Sequence, residues 1–155
     1  MPTDNEPTDT AHEEATPEVR ERVENSFARQ GLMQHLGAQL THVGPGRVHI
    51  TLASRPEITQ QHGYIHAGAT STIADTAGGY AGLTLFPADA EVLTIEYKIN
   101  LIAPAAGDNL EAVGTVVKSG RTITVCRLDV YAHQNGKRSL VAAGQQTLIR
   151  VGGAT

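Results

Sequence analysis

Residues 61–83, QHGYIHAGATSTIADTAGGYAGL, carry the period of a helix without the charged face of an exposed one. Asp75 stands among Gly, Ala and Thr with no other charge nearby. A helix face open to water is ordinarily rich in Lys, Arg and Glu, which are cheaply solvated and favour the helical state. A helix of this composition has to be covered. At about 100° per residue, Ala69, Ile73, Ala77 and Tyr80 form one stripe, assigned to the inside of the fold, and Ser71, Asp75, Gly78 and Gly82 fall on the opposite one. Gly78, Gly79 and Gly82 each cost about 1 kcal/mol relative to Ala in a helix. Something is therefore expected to approach the backbone closely, either a second copy of the helix or a bound ligand.

The flanking segments read as strands. After a Gly44-Pro45-Gly46 turn, Val48, Ile50 and Leu52 alternate with His49, Thr51 and Ala53. Beyond the helix, Leu93, Ile95, Tyr97, Ile99 and Leu101 alternate with Thr94, Glu96, Lys98 and Asn100, a long strand with one wet or functional face. Three further runs, near 109–118, 121–133 and 138–151, are separated by Ser119-Gly120 and Asn135-Gly136, both two-residue turn candidates. One long helix among antiparallel strands is an α+β layout in which the sheet must curl around or cover the helix. Residues 1–16 are rich in Pro, Asp, Glu and Thr and read as a disordered acidic tail; 17–31, with Pro17 at its start and Val19, Val23 and Phe27 four apart, as a short amphipathic helix. With 155 residues the chain is one domain, and with no Trp, 2 Phe and 4 Tyr its core is built from Val, Ile, Leu and Ala.

Several function classes drop out. A formal net charge of −4 and no basic cluster longer than Lys137-Arg138 argue against nucleic acid. The apolar segments are too short to span a bilayer, and the N-terminus lacks the regions of a secretory signal, so no membrane partner is expected and the protein reads as cytoplasmic. A single cysteine, Cys126, excludes an internal disulfide and a multi-Cys zinc site, and it lies on a strand face where a buried thiol is the ordinary outcome. His62 and His66 are four apart, but the turn-like QHGY and the lack of a Glu or Cys partner speak against a metal site.

The start of the helix carries chemistry of its own. Its first amides have no intrahelical partner, and the small residues Ala67 and Gly68 let a carbonyl oxygen reach a free N–H, the geometry of an oxyanion hole. His66 and Asp75 are nine residues apart, half a turn beyond two full ones, so within one helix they point in opposite directions. If the amide end and the carboxylate serve one reaction, one subunit supplies the first and its neighbour the second.

GYIHAG followed by IAD, the strand LTIEYKINLIAPA and the hairpin VVKSGRTI, in this order, resemble the PaaI-like hotdog-fold acyl-CoA thioesterases over about residues 35–151. The resemblance implies a single hotdog domain, a long central helix wrapped by a curved antiparallel sheet, assembled as a homodimer or homotetramer. It also implies hydrolysis of an acyl-CoA to free acid and coenzyme A, with no metal and no cofactor beyond the coenzyme A of the substrate. On this resemblance Asp75 aligns with the nucleophile or general base, Ala67 with the residue whose backbone N–H polarises the thioester carbonyl, and His66 with the histidine before it. Thr94 falls where a Ser or Thr orients the attacking water, and Gly63 matches a turn glycine. Lys118, Gly120, Arg121 and Thr122 fit the hairpin near the coenzyme A moiety. The family often reads His-Gly-Gly where this chain has His66-Ala67-Gly68, and many members carry Asn where it has Gln60. Two other readings remain at this stage: a hotdog dehydratase or hydratase acting on an acyl thioester, and a non-catalytic acyl-CoA-binding module.

Overall fold

A computed structural model describes residues 13–152. Most of the acidic tail, residues 1–12, lies outside them. Helix α1 (Pro17–Ala28) opens on Thr16, whose hydroxyl accepts the Val19 amide proton, with Pro17 in the first turn where its missing N–H costs nothing. A short α2 (Gly31–Leu36) ends at Gly37, which turns left-handed at φ 73°. Strands β1 (Gln39–Gly44) and β2 (Arg47–Ala53) follow, then a 3-10 turn (Pro56–Ile58) and the long helix α3 (Ala67–Leu83). Strands β3 (Ala90–Leu101), β4 (Asn109–Ser119), β5 (Ile123–Gln134) and β6 (Lys137–Gly152) complete the chain.

The six strands form one antiparallel sheet in the order β1-β2-β4-β5-β6-β3. Helix α3 packs against β2, β4, β5, β6 and β3, so the sheet wraps it as the hotdog layout requires. The alternation expected for β2 holds, with Val48, Ile50 and Leu52 buried. Asn135 and Gly136 make the two-residue turn between β5 and β6, both with positive φ, 51° and 74°. The other hairpin differs from expectation. A bulge between Val116 and Lys118 shifts its register, and three residues, Gly120, Arg121 and Thr122, connect the strands rather than the pair Ser119-Gly120.

Two expectations about faces are corrected. Gly78 and Gly82 do not wait for a second helix or a ligand; both are buried against this chain's own sheet. A Cβ on Gly78 would collide with Gln146 Oε1 and one on Gly82 with Leu148, and on the sheet side a Cβ on Gly114 would run into the Ala77 backbone. The stripe opposite Ala69, Ile73, Ala77 and Tyr80 is therefore divided: Gly78 and Gly82 are buried, whereas Ser71 and Asp75 are half-buried. The most open strip runs from the exposed Gly68 through the half-buried Thr72, Thr76 and Gly79, and of the four glycines in α3 only Gly79 has free space at its Cβ position. In β3 the simple alternation fails because a bulge sits between Thr94 and Glu96. Thr94 reaches toward α3, whereas Glu96 accepts a hydrogen bond from Thr147 on the other face.

Strand β3 is the last strand of the sheet, and Leu93, Ile95, Tyr97 and Leu101 on it are between 46% and 59% exposed. An edge strand carrying that much apolar surface is a template for pairing with another strand. No helix among the described residues is long and apolar enough to cross a membrane.

Candidate functional site

The segment before α3 is held on three sides. Thr59 and Ile65 form a β-bridge, the Ile65 amide donates to Ala105 O at 2.9 Å, and the His66 amide donates to Ile58 O at 2.9 Å. Gly63 takes φ 84° to close the turn in which its amide donates to Gln60 O. The Gln60 side chain folds back on the same loop and accepts the His62 amide at 2.5 Å. His66 is the N-cap of α3, and its Nδ1 accepts the Gly68 amide at 2.7 Å. A neutral ring in this position carries its proton on Nε2. The Ala67 N–H, the first of the helix, has no partner among the described residues and is oriented with the positive end of the helix dipole. His66, Ala67, Gln60, Tyr64 and Thr70 line a cavity of about 560 Å³, closed on its other side by Leu101, Ile102, Pro104 and Val141.

Asp75 opens elsewhere. Two turns further along α3 it lines a second cavity of about 300 Å³, with Thr94 and Val92 of β3, Thr76, Gly79 and Tyr80 of α3, Ser26 of α1 and Gln30, the N-cap of α2. Thr94 Oγ1 donates to Asp75 Oδ1 at 2.7 Å. Gln146 of β6 donates from Nε2 to Asp75 Oδ1 at 2.6 Å and to the Asp75 carbonyl at 2.8 Å, and lies 3.2 Å from Thr94 Oγ1. Asp75 Oδ2 makes no hydrogen bond among the described residues. The far wall is polar as well: Gln30 Nε2 donates to Tyr80 OH at 2.8 Å, and Ser26 Oγ lies 3.0 Å from the same oxygen.

Of the residues singled out in the sequence, Asp75 meets Thr94 in one cavity, and Gln60, His66 and Ala67 meet in the other. Within one chain the two sets are not brought together: eight residues of helix separate Ala67 from Asp75, about 12 Å of rise. Gly63 stands in the turn behind the first cavity, and Gly68 on the open strip of α3. Lys118, Gly120, Arg121 and Thr122 lie at the β4–β5 hairpin and line neither cavity; the Gly120 amide donates to Ile123 O and Thr122 O accepts the Arg150 amide, while the Lys118 and Arg121 side chains are exposed.

Gln146 and the Ser26–Gln30–Tyr80 contact escaped the sequence reading. The available signal for Gln146 was its parity: Ala142, Gln146 and Leu148 share the inward face of β6, and an amide at such a position demands a partner. Cys126 is fully buried with Sγ 3.5 Å from Gly78 O, and burial pushes its thiol up to about 12, which leaves no thiolate to act as a nucleophile. On the outer face of the sheet, burial lowers His49 to about 4, against the attraction of Glu111. Burial pushes the Glu111 carboxyl up, but the hydrogen bonds and charge of Arg138, with His49 and His133, outweigh it and hold it below the usual range. No group of three or more His, Cys, Asp or Glu among the described residues is arranged to hold a metal ion.

Comparison with known proteins places this geometry in a family. Residues 62–139, from the loop before α3 into the start of β6, match the model of the thioesterase superfamily. A thioesterase family protein from Silicibacter pomeroyi is 41% identical, with a TM-score of 0.85 over 87% of this chain and 99% of that one. Human acyl-coenzyme A thioesterase 13 is 28% identical over 109 residues, 70% of this chain and 76% of that protein. The PaaI protein of the E. coli phenylacetic acid degradation operon, 21% identical, shares the fold with a TM-score of 0.79 over 88% of this chain and 96% of that one. A wrapped central helix, the matched segment and these relatives together identify the chain as a thioester hydrolase of the thioesterase superfamily.

Proposed function

We propose that the protein hydrolyses an acyl-CoA to the free acid and coenzyme A, at sites shared between two subunits. The observation that carries this reading is the state of Asp75: the one charged side chain of α3, fixed through Oδ1 by Thr94 and Gln146, with Oδ2 open to a cavity. The name of the human relative supports coenzyme A as the carrier of the acyl group.

In this reading the substrate carbonyl accepts a hydrogen bond from the Ala67 N–H, aided by the helix dipole, as its oxygen takes on charge. Asp75 Oδ2 removes a proton from a water that adds to the carbonyl carbon, and the proton passes to the departing sulfur as the C–S bond breaks. Direct attack by Oδ2 on the carbonyl carbon, with an anhydride then opened by water, gives the same products and uses the same groups. Thr94 fixes Asp75, and His66 serves by occupying the Gly68 amide, which leaves Ala67 as the free donor. Gln60 and Gly63 shape the loop that presents the helix end, and Gly68 keeps its approach unobstructed. The hairpin Lys118–Thr122, with the exposed cations Lys118 and Arg121 on either side of Gly120, contacts the phosphates of coenzyme A. No cofactor or metal enters the scheme.

Pairing of β3 with its copy in a homodimer covers Leu93, Ile95 and Tyr97 and brings the Ala67 end of one α3 to the Asp75 of the other. A homotetramer is two such dimers, working in the cytoplasm.

The test is hydrolysis of a panel of aromatic and aliphatic acyl-CoAs, following free coenzyme A against an enzyme-only blank for Cys126. Wild type should turn over at least one thioester. Asp75→Asn should lose activity by about 100-fold or more while keeping the same oligomeric state. Equal activity in the two proteins, or binding of the whole panel without turnover by either, overturns the proposal.

A further inference from the structure

We propose that Gln146 is a positioning residue of this site, whose buried amide commits Asp75 Oδ1 and so designates Oδ2 as the oxygen that meets water or substrate. The inference rests on the reading of Asp75 as base or nucleophile and assigns a role to a residue on a different element.

Gln146 is 0% exposed, yet its Oε1 has no partner among the described residues. A Met or Leu of similar volume would fill the same space without burying an unpaired oxygen, so the amide is explained by its donor end. That end is fully used. Nε2 addresses Asp75 Oδ1, the Asp75 carbonyl and Thr94 Oγ1 at 2.6, 2.8 and 3.2 Å, and a reversed amide would set oxygen against oxygen at the first two. The helix is shaped around it: Gly78 has no side chain where a Cβ would strike Gln146 Oε1. With Thr94 also donating to Oδ1, two donors converge on one carboxylate oxygen. The bond to the Asp75 carbonyl ties the helix backbone to β6 at the same residue, so both the main chain and the carboxylate of Asp75 are referenced to one side chain.

The experiment compares wild type, Gln146→Met, Gln146→Leu, Asp75→Asn and the double variant Asp75→Asn/Gln146→Met on one acyl-CoA that wild type hydrolyses. Either apolar variant should lower kcat by about 10- to 100-fold with KM within about threefold, and its melting temperature should be no lower than that of wild type. In the Asp75→Asn background the same substitution should cost less than about twofold, because a residue acting only through Asp75 has nothing left to position. Full kcat in Gln146→Met or Gln146→Leu beside an inactive Asp75→Asn overturns the role of Gln146 alone. An additive loss in the double variant also overturns it, in favour of a purely structural amide. Full activity of Asp75→Asn overturns the reading of Asp75 and this inference together.

Discussion

Thr94 Oγ1 donates to Asp75 Oδ1 at 2.7 Å across nineteen residues of sequence, joining the middle of α3 to the edge strand of the sheet. Thr94 is the last residue before the bulge in β3, so the irregularity that breaks the alternation of the strand follows the residue that bonds to the carboxylate. The hydroxyl proton is committed to Asp75, which makes the Thr a holder of the carboxylate in the first instance. Thr94→Val, close in shape and without the hydroxyl, should lower kcat by about 10-fold with little change in KM, while Thr94→Ser should stay within about threefold of wild type. Steady-state kinetics on one acyl-CoA decide it; a Thr94→Val enzyme as fast as wild type removes Thr94 from the site.

Gly78 and Gly79 are neighbours in α3 with opposite surroundings, and the same substitution should act on them with opposite sign. A Cβ on Gly78 strikes Gln146 and Leu128, whereas one on Gly79 meets nothing within 4 Å. Gly78→Ala should destabilise by about 1–3 kcal/mol through overpacking. Gly79→Ala should stabilise by up to about 1 kcal/mol, since Ala is the better helix former and the space is open. Urea denaturation of the two variants measures both; equal shifts in one direction would mean that the helix sits differently on the sheet.

Much of this arrangement was legible in the sequence, for a physical reason particular to each element. The lone charge at Asp75 marked the carboxylate because solvated helices do not look like α3. The alternation of Val48, Ile50 and Leu52 marked β2, and Asn135-Gly136 marked the turn between β5 and β6 by chemistry specific to positive φ. Illegible were features created by one extra residue. The bulge beside Ile95 leaves no trace in composition, because an edge strand carries apolar residues on both faces. The bulge beside Val117 likewise accompanies a three-residue connection, Gly120 to Thr122, where the sequence offers Ser119-Gly120 as a two-residue turn. Gln146 was hidden for a further reason: whether a strand residue points inward depends on register with its neighbours, and register is a property of the assembled sheet.

The outer face of the sheet should make stability fall in acid. His49 is neutral in the folded protein down to about 4, whereas the unfolded side chain takes its proton near 6.5. Between these values the unfolded chain binds more protons than the folded one, so stability declines as the pH drops through that window, by at most about 3 kcal/mol. Glu111 acts in the same direction: its carboxyl is held below the usual range when folded, and its contribution disappears as the pH falls through that lowered value. Denaturation at pH 7 and at pH 4.5 should show the loss, and His49→Gln should shrink the difference between the two by at least about 1 kcal/mol. An unchanged difference in the variant would assign the acid sensitivity to other groups.

The separation of Ala67 from Asp75 within one chain leads to a test that depends on which backbone atom is removed. Ala67 is the first residue of α3, the position where proline is best tolerated, and His66 before it has the extended ψ of 137° that a following proline requires. Ala67→Pro therefore deletes the free N–H while leaving the helix in place, a backbone substitution at a single atom. Alone it should reduce kcat by about 100-fold or more, as expected for loss of an oxyanion donor. Asp75→Asn alone should be inactive for a different reason. Co-expressed and purified together, the two inactive chains form mixed dimers in which one subunit supplies an intact Ala67 amide and the other an intact Asp75. If each site takes these groups from different subunits, random pairing gives half mixed dimers with one complete site of two, and activity should return to about a quarter of wild type. If each site is built within a single chain, the mixture stays at the sum of its two inactive parents. Recovery would tie the uncharged face of α3, the exposed apolar edge of β3 and the lone carboxylate to one requirement: a site that exists only when two copies of this helix meet.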